Sequence, residues 1–146
     1  MTTAAQILRA KADKAIYTIT ATATVFDAVS RMAEKNIGAL VVTEDERVVG
    51  LMTERDYARK IVLMARFSKD TLVRDIMTSP VMYVRPANTS VECMALMTEK
   101  RVRHLPVIDN GKLIGLVSIG DLLKDVISEQ KFAIQQLEHY IAGDRG

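Results

Sequence analysis

The chain has 146 residues, 49% apolar and 26% charged, with a formal net charge of +2. That length suits a single domain, and no apolar run nears the ~20 residues of a membrane-spanning helix. Lys and Arg are interspersed with Asp and Glu and only 5% of residues are aromatic, so a nucleic-acid surface built on charge and stacking is disfavoured. Residues 1–15 read as a helical lead-in without the apolar core of a secretory signal, which points to a cytoplasmic protein. Ile16 to Ile19 reads as a short strand. Thr24 then caps a helix whose apolar face is Val25, Ala28, Val29 and Met32. Ala39 to Val42 is a buried β run, Glu44 to Arg47 a polar turn, and Val48 to Met52 a second strand. Thr53 opens another helix. Asp56 to Arg66 and Thr71 to Met77 look helical, and Ser79-Pro80 closes the linker.

The same order then recurs. Ile16 to Tyr57 superimposes on Val81 to Leu122 at a constant offset of 65 without a gap. Thr24, Met32, Leu40, Val42, Gly50, Leu51 and Asp56 return as Thr89, Met97, Leu105, Val107, Gly115, Leu116 and Asp121. Each unit reads β-α-β-β-α, with the last two strands as a hairpin. The Asp109-Asn110-Gly111 turn is the stronger hairpin signal of the two. A unit this short struggles to bury a core alone, so the copies are expected to pack face to face with pseudo-twofold symmetry. The fold class is α/β, with repeat one at 16–66, a linker at 67–80, repeat two at 81–127 and a C-terminal helix and tail at 128–146. The helix after Asp121 carries Leu123, Val126, Ile127, Ile134, Leu137 and Ile141 at helical spacing, a stripe that either covers the domain's own core or, as its length favours, makes a homodimer contact. The lone cysteine, Cys93, falls on the apolar face of its helix and is expected to be a buried, inert thiol.

Each repeat ends in Gly-apolar-apolar-Ser/Thr-x-x-Asp, at Gly50 to Asp56 and Gly115 to Asp121. Together with the Val73 to Thr78 lead-in and the Arg103-His104-Leu105-Pro106-Val107 strand, this resembles a tandem pair of CBS domains (cystathionine beta-synthase domains, a Bateman module) of stand-alone type. The resemblance implies a regulatory protein that binds an adenine nucleotide such as AMP, ATP or NAD(H) in clefts between the repeats, commonly as a homodimer.

A carboxylate at a helix start can accept hydrogen bonds from both ribose hydroxyls, and Asp56 and Asp121 fit that role. Thr53 and Ser118 would face phosphate oxygens. The bland reading stands beside this one: Ser/Thr followed three residues later by an acid is also a capping box, which needs no ligand. The copies differ around the phrase. Arg55 offers a cation in repeat one, where repeat two has Gly120, which admits a close backbone approach. Arg103 and His104 replace Gly38 and Ala39 in the strand; Arg103 reads either as a phosphate donor or as a solvated edge, and His104 as a structural hydrogen bond or a ligand contact. By family position the base would lie near Thr18, Ile19, Gly38, Ala39 and Leu40 in one site, and near Tyr83, Val84, Leu105 and Pro106 in the other.

Enzyme chemistry finds little foothold. Two histidines and one cysteine give no structural-zinc spacing, and neither a Walker loop nor a nucleophile elbow is present. The leading expectation is therefore a non-catalytic nucleotide sensor without metal or membrane partner, whose downstream protein target the sequence does not name. A constitutive dimerisation scaffold is the competing reading.

Overall fold

The computed structural model describes residues 1–141, with side chains described as far as residue 138. Helix α1 (Ala4–Ala10) precedes repeat one, which comprises β1 (Thr18–Thr20), α2 (Val25–Lys35), β2 (Ala39–Glu44), β3 (Arg47–Thr53) and α3 (Glu54–Tyr57). Repeat two comprises α4 (Ser90–Lys100), β4 (His104–Asp109), β5 (Lys112–Ser118) and α5 (Ile119–Ile141). Local chemistry sets the helix ends. The Thr24 hydroxyl accepts from the Asp27 N–H at 3.1 Å, and Thr89 forms a full capping box with Glu92. Asn36 and Arg101 close α2 and α4 in the left-handed conformation, at φ 54° and 56°.

The duplication is preserved in the strand register. Ala39 faces Thr53 and Val42 faces Gly50, while His104 faces Ser118 and Val107 faces Gly115. Both hairpins carry an irregularity at the same place, Val42/Thr43 and Val107/Ile108. Both turn through two residues at positive φ, Asp45 (52°) and Glu46 (66°) in one, Asn110 (51°) and Gly111 (79°) in the other. Two positive φ values in succession mark a type I′ turn, which favours Asn-Gly. Glu46 is therefore strained where Gly111 is not. Replacing Asp45-Glu46 by Asn-Gly is expected to stabilise the protein by about 1 kcal/mol, read as a higher urea midpoint at unchanged slope.

The first strands depart from expectation. β1 pairs parallel with β2 over Thr18 to Thr20 rather than Ile16 to Ile19. In repeat two only Val84 bridges to Val107. Pro106 supplies a physical reason: its counterpart Val41 donates its N–H to the Tyr17 carbonyl at 3.4 Å, and a proline has no N–H to give.

The two expected helices of the connecting region also differ. Past Tyr57 the chain widens into a π-helical turn, Ala58–Val62, and of Thr71 to Met77 only Val73–Asp75 is helical, as one 3-10 turn. The linker and the N-terminus play matching parts in a crossed arrangement. The linker packs on repeat one, with the Val73 N–H donating to the Ala23 carbonyl and the Val25 N–H to the Thr71 carbonyl, both at 2.8 Å. The N-terminus packs on repeat two, with the Ala4 N–H donating to the Asn88 carbonyl and the Ser90 N–H to the Thr2 carbonyl, again at 2.8 Å. Ile76 enters the core of repeat one and Ile7 that of repeat two. The shared glycines seat these segments: a Cβ at Gly50 would meet the Met77 side chain, and one at Gly115 would meet Leu8 Cδ2 at 2.6 Å.

Alternation along β2 and β3 divides the burial. Leu40, Val42 and Met52 face the helices with Val25, Ala28 and Met32, whereas Ala39, Val41 and Leu51 pack with Val81, Leu113 and Leu116 of the second half. The two sheets thus meet face to face, as the duplication requires. Cys93 is fully buried in the second core, and that burial raises its thiol pKa, which keeps it in the unreactive protonated form. On α5, Leu123, Ile127, Ile134 and Leu137 are exposed; the side chain of Ile141 lies outside the described residues.

Candidate functional site

Between the repeats lies a cleft of about 1320 Å³. One wall is the turn from α2 into β2, including Asn36, Gly38 and Ala39; the other includes His104, Ser118 and Asp121. The segment from α1 to β1 also lines it and contributes Lys11, Asp13 and Tyr17. Lys35 and Lys124 add cations at the rim. Strand–helix junctions hold both walls. The Glu54 N–H donates to the Gly38 carbonyl at 3.1 Å, and the Ile119 N–H to the Arg103 carbonyl at 2.8 Å. Gly38 is small for a reason: a Cβ there would stand 2.9 Å from Glu54 Oε1 and 3.8 Å from the His104 ring.

The two carboxylates of the repeated phrase both make capping boxes, so the ligand-free explanation of the motif holds at the level of local structure. The Asp56 N–H donates to Thr53 Oγ1 at 3.1 Å and the Thr53 N–H donates back to Asp56 Oδ2 at 3.0 Å. The Asp121 N–H donates to Ser118 Oγ at 3.1 Å, and the Ser118 N–H to Asp121 Oδ2 at 2.8 Å. Their surroundings differ. Asp56 is only 8% exposed and further accepts from Thr78 Oγ1 at 3.2 Å, with Lys60 Nζ 3.4 Å away. Asp121 opens onto the cleft, where Lys11 Nζ lies 3.1 Å from Oδ2. Asp56 makes the larger set of contacts within its own repeat, and Asp121, its side chain 14% exposed, lines the cleft between the repeats.

The remaining expected residues divide in the same way. Gly38, Ala39, His104, Ser118 and Asp121 line one cleft. Leu40, Val84, Leu105 and Pro106 are buried, so they offer at most backbone to a ligand. Thr18 and Ile19 border a smaller hollow beside Arg31 and Glu34. Tyr83, Arg103 and Gly120 are exposed. Arg55 reaches across the repeats and donates from Nη1 to the Arg101 carbonyl at 3.0 Å, closing the C-terminus of α4. The sequence reading overlooked Lys11, Tyr17, Lys35 and Lys124. Nothing in the repeat alignment flags the first, because it precedes the duplicated unit.

Burial of the His104 imidazole lowers its pKa, opposed by Asp121 and assisted by Lys11 and Arg103. A neutral ring can both donate and accept a hydrogen bond. The contribution of His104 to stability is present in full above the unfolded value near 6.5 and is lost as pH falls through the lower native value, because the unfolded chain then binds the extra proton. Urea midpoints of the parent should therefore fall with acidification below about pH 6.5 more steeply than those of His104→Gln.

Comparison with known proteins places this geometry. The CBS-domain family model matches residues 5–63 and 73–128. The mitochondrial CBS domain-containing protein CBSX3 of Arabidopsis thaliana is 42% identical over 150 aligned residues, covering 97% of this chain and 73% of the relative. A solved candidate signal-transduction protein with CBS domains from Burkholderia ambifaria is 60% identical at a TM-score of 0.85, covering 88% of this chain and 96% of that one. Hypoxic Response Protein I, solved with two coordinated zinc ions, is 27% identical at a TM-score of 0.71, covering 86% and 99%. Among the described residues of this chain, no group of three or more His, Cys, Asp and Glu side chains could hold a metal ion. No described helix is long and apolar enough to cross a membrane.

Proposed function

This chain belongs to the CBS-domain family, whose pairs are generally regulatory and nucleotide-sensing, and from that premise we propose that it is a sensor of an adenine nucleotide of the AMP, ATP or NAD(H) type. The observation that carries this reading is the cleft of about 1320 Å³, with a small-residue wall at Gly38 and Ala39 and a polar wall at His104, Ser118 and Asp121. A carboxylate with one face toward the cleft suits a pair of adjacent ribose hydroxyls. The glycine and alanine leave room for a planar base, and Lys35 and Lys124 supply charge for phosphates. The bound nucleotide would touch both repeats, so any difference in its affinity for two repeat orientations becomes a signal.

The exposed row Leu123, Ile127, Ile134 and Leu137 on α5 supports a homodimer in which this helix takes part. The reading is of a cytoplasmic binding protein that acts on another protein. Thermal denaturation with AMP, ATP and NAD decides the matter. A nucleotide at 100 times its dissociation constant adds about 2.7 kcal/mol of apparent stability. No shift at millimolar concentration with any of the three would reduce the protein to a scaffold.

A further inference from the structure

Lys11 occupies one of the two carboxylate oxygens that a bidentate ribose contact at Asp121 requires. Its Nζ lies 3.1 Å from Asp121 Oδ2 and donates to the Leu116 carbonyl at 2.9 Å, and its side chain is 28% exposed. The same carboxylate oxygen accepts from the Ser118 N–H, so Lys11 takes up capacity that a ribose would need. The segment it belongs to is anchored at the opposite wall as well. The Tyr17 hydroxyl donates to Asp13 Oδ2 at 2.7 Å, Lys35 Nζ lies 5.8 Å from the centre of the Tyr17 ring, and Tyr17 packs against the core of repeat one. Residues 11–17 therefore form a strap along the cleft, fastened to repeat two by Lys11 and to repeat one by Tyr17.

Resting on the nucleotide reading above, we infer that Lys11 is a latch that discriminates phosphorylated nucleotides from nucleosides. A ligand whose two ribose hydroxyls take both oxygens of Asp121 displaces the Lys11 ammonium from Oδ2. A nucleoside leaves that cation without a replacement for its lost partner. A nucleotide brings phosphates into the same cleft, and the released ammonium becomes one of their partners. The latch thus opposes every ligand at Asp121 and compensates only anionic ones. Its opening frees the strap that ties the two repeats.

Calorimetric titration of the full chain with adenosine and with ATP, for the parent, Lys11→Ala, Lys11→Gln and Lys11→Arg, tests this directly. In Lys11→Ala adenosine should bind about tenfold tighter, since a charge-assisted competitor is gone, while ATP binds no tighter than in the parent. The ATP-to-adenosine affinity ratio then falls by about tenfold or more. Lys11→Gln should behave as Lys11→Ala, and Lys11→Arg should keep the parental ratio. An unchanged ratio in both neutral variants overturns the latch while leaving nucleotide binding intact. Absence of binding by the parent to either compound overturns the nucleotide reading itself, and the latch with it.

Discussion

Leu105→Ala is expected to lower the unfolding free energy by about 2–5 kcal/mol, as large-to-small changes do in well-packed cores. Leu105 is fully buried in a cluster with Val84, Cys93, Met97, Val107, Val117 and Leu122, where neighbours on two strands and two helices cannot all collapse onto the space left behind. For a chain of this length that corresponds to a drop in melting temperature of roughly 5–15 °C. Leu123, half-exposed on α5, serves as the control: its alanine variant should stay within about 0.5 kcal/mol if the helix face is free in the monomer. Urea denaturation of both variants at low protein concentration is the check. Equal effects would mean that the second core is not packed as described, or that α5 is buried in an assembly even when dilute.

Asp121→Ala and Asp56→Ala should fail in different ways, although the two residues hold equivalent places in the repeat. Asp121 faces the cleft beside His104 and Ser118, so its loss removes two charge-assisted hydrogen bonds to the proposed ribose and weakens nucleotide affinity on the order of 100-fold. Asp56 is tied to Thr53, Thr78 and Lys60. Its loss removes a cap and a buried acceptor, costing about 1–2 kcal/mol of stability with little change in the affinity of molecules that remain folded. Calorimetry and denaturant melts on both variants separate the effects. Affinity losses of equal size would assign the ligand to a pair of symmetrical sites instead.

The contrast between those carboxylates shows what the sequence could reveal. The gapless offset of 65 residues announced the repeat, and periodicity located its helices because Val25, Ala28 and Met32 obey one face of a helix. Capping threonines marked where the helices begin. Local signals of this kind are carried by neighbouring residues. What escaped is non-local. Lys11 finds Asp121 across 110 positions of chain, and Arg55 finds the Arg101 carbonyl across 46. The crossed lead-ins were equally hidden, since Thr2 to Leu8 match Thr71 to Met77 at an offset of 69 rather than 65 and share few identities. Gly50 and Gly115 were visible as a recurring pair, but their purpose, seating Met77 and Leu8, emerges only from packing. Pro106 could have been read in advance: a proline in the middle strand of a repeat removes one ladder donor, and the first strand of that repeat shrinks to a single bridge.

On the proposed reading, a duplicated framework with unequal linings leaves one cleft as the nucleotide site. In repeat one the motif's carboxylate is spent on holding Lys60 and Thr78, and its arginine on closing a helix of the other repeat. In repeat two the same carboxylate lines the cleft between the repeats and is paired with a lysine from the N-terminal segment. The crystal structure of the protein with ATP tests this account most directly. It should show the ribose hydroxyls on Asp121, the base against Gly38 and Ala39, and Lys11 moved from Asp121 toward the phosphates. A nucleotide seated on Asp56 instead, or one bound in the cleft with the Lys11–Asp121 pair intact, would contradict it.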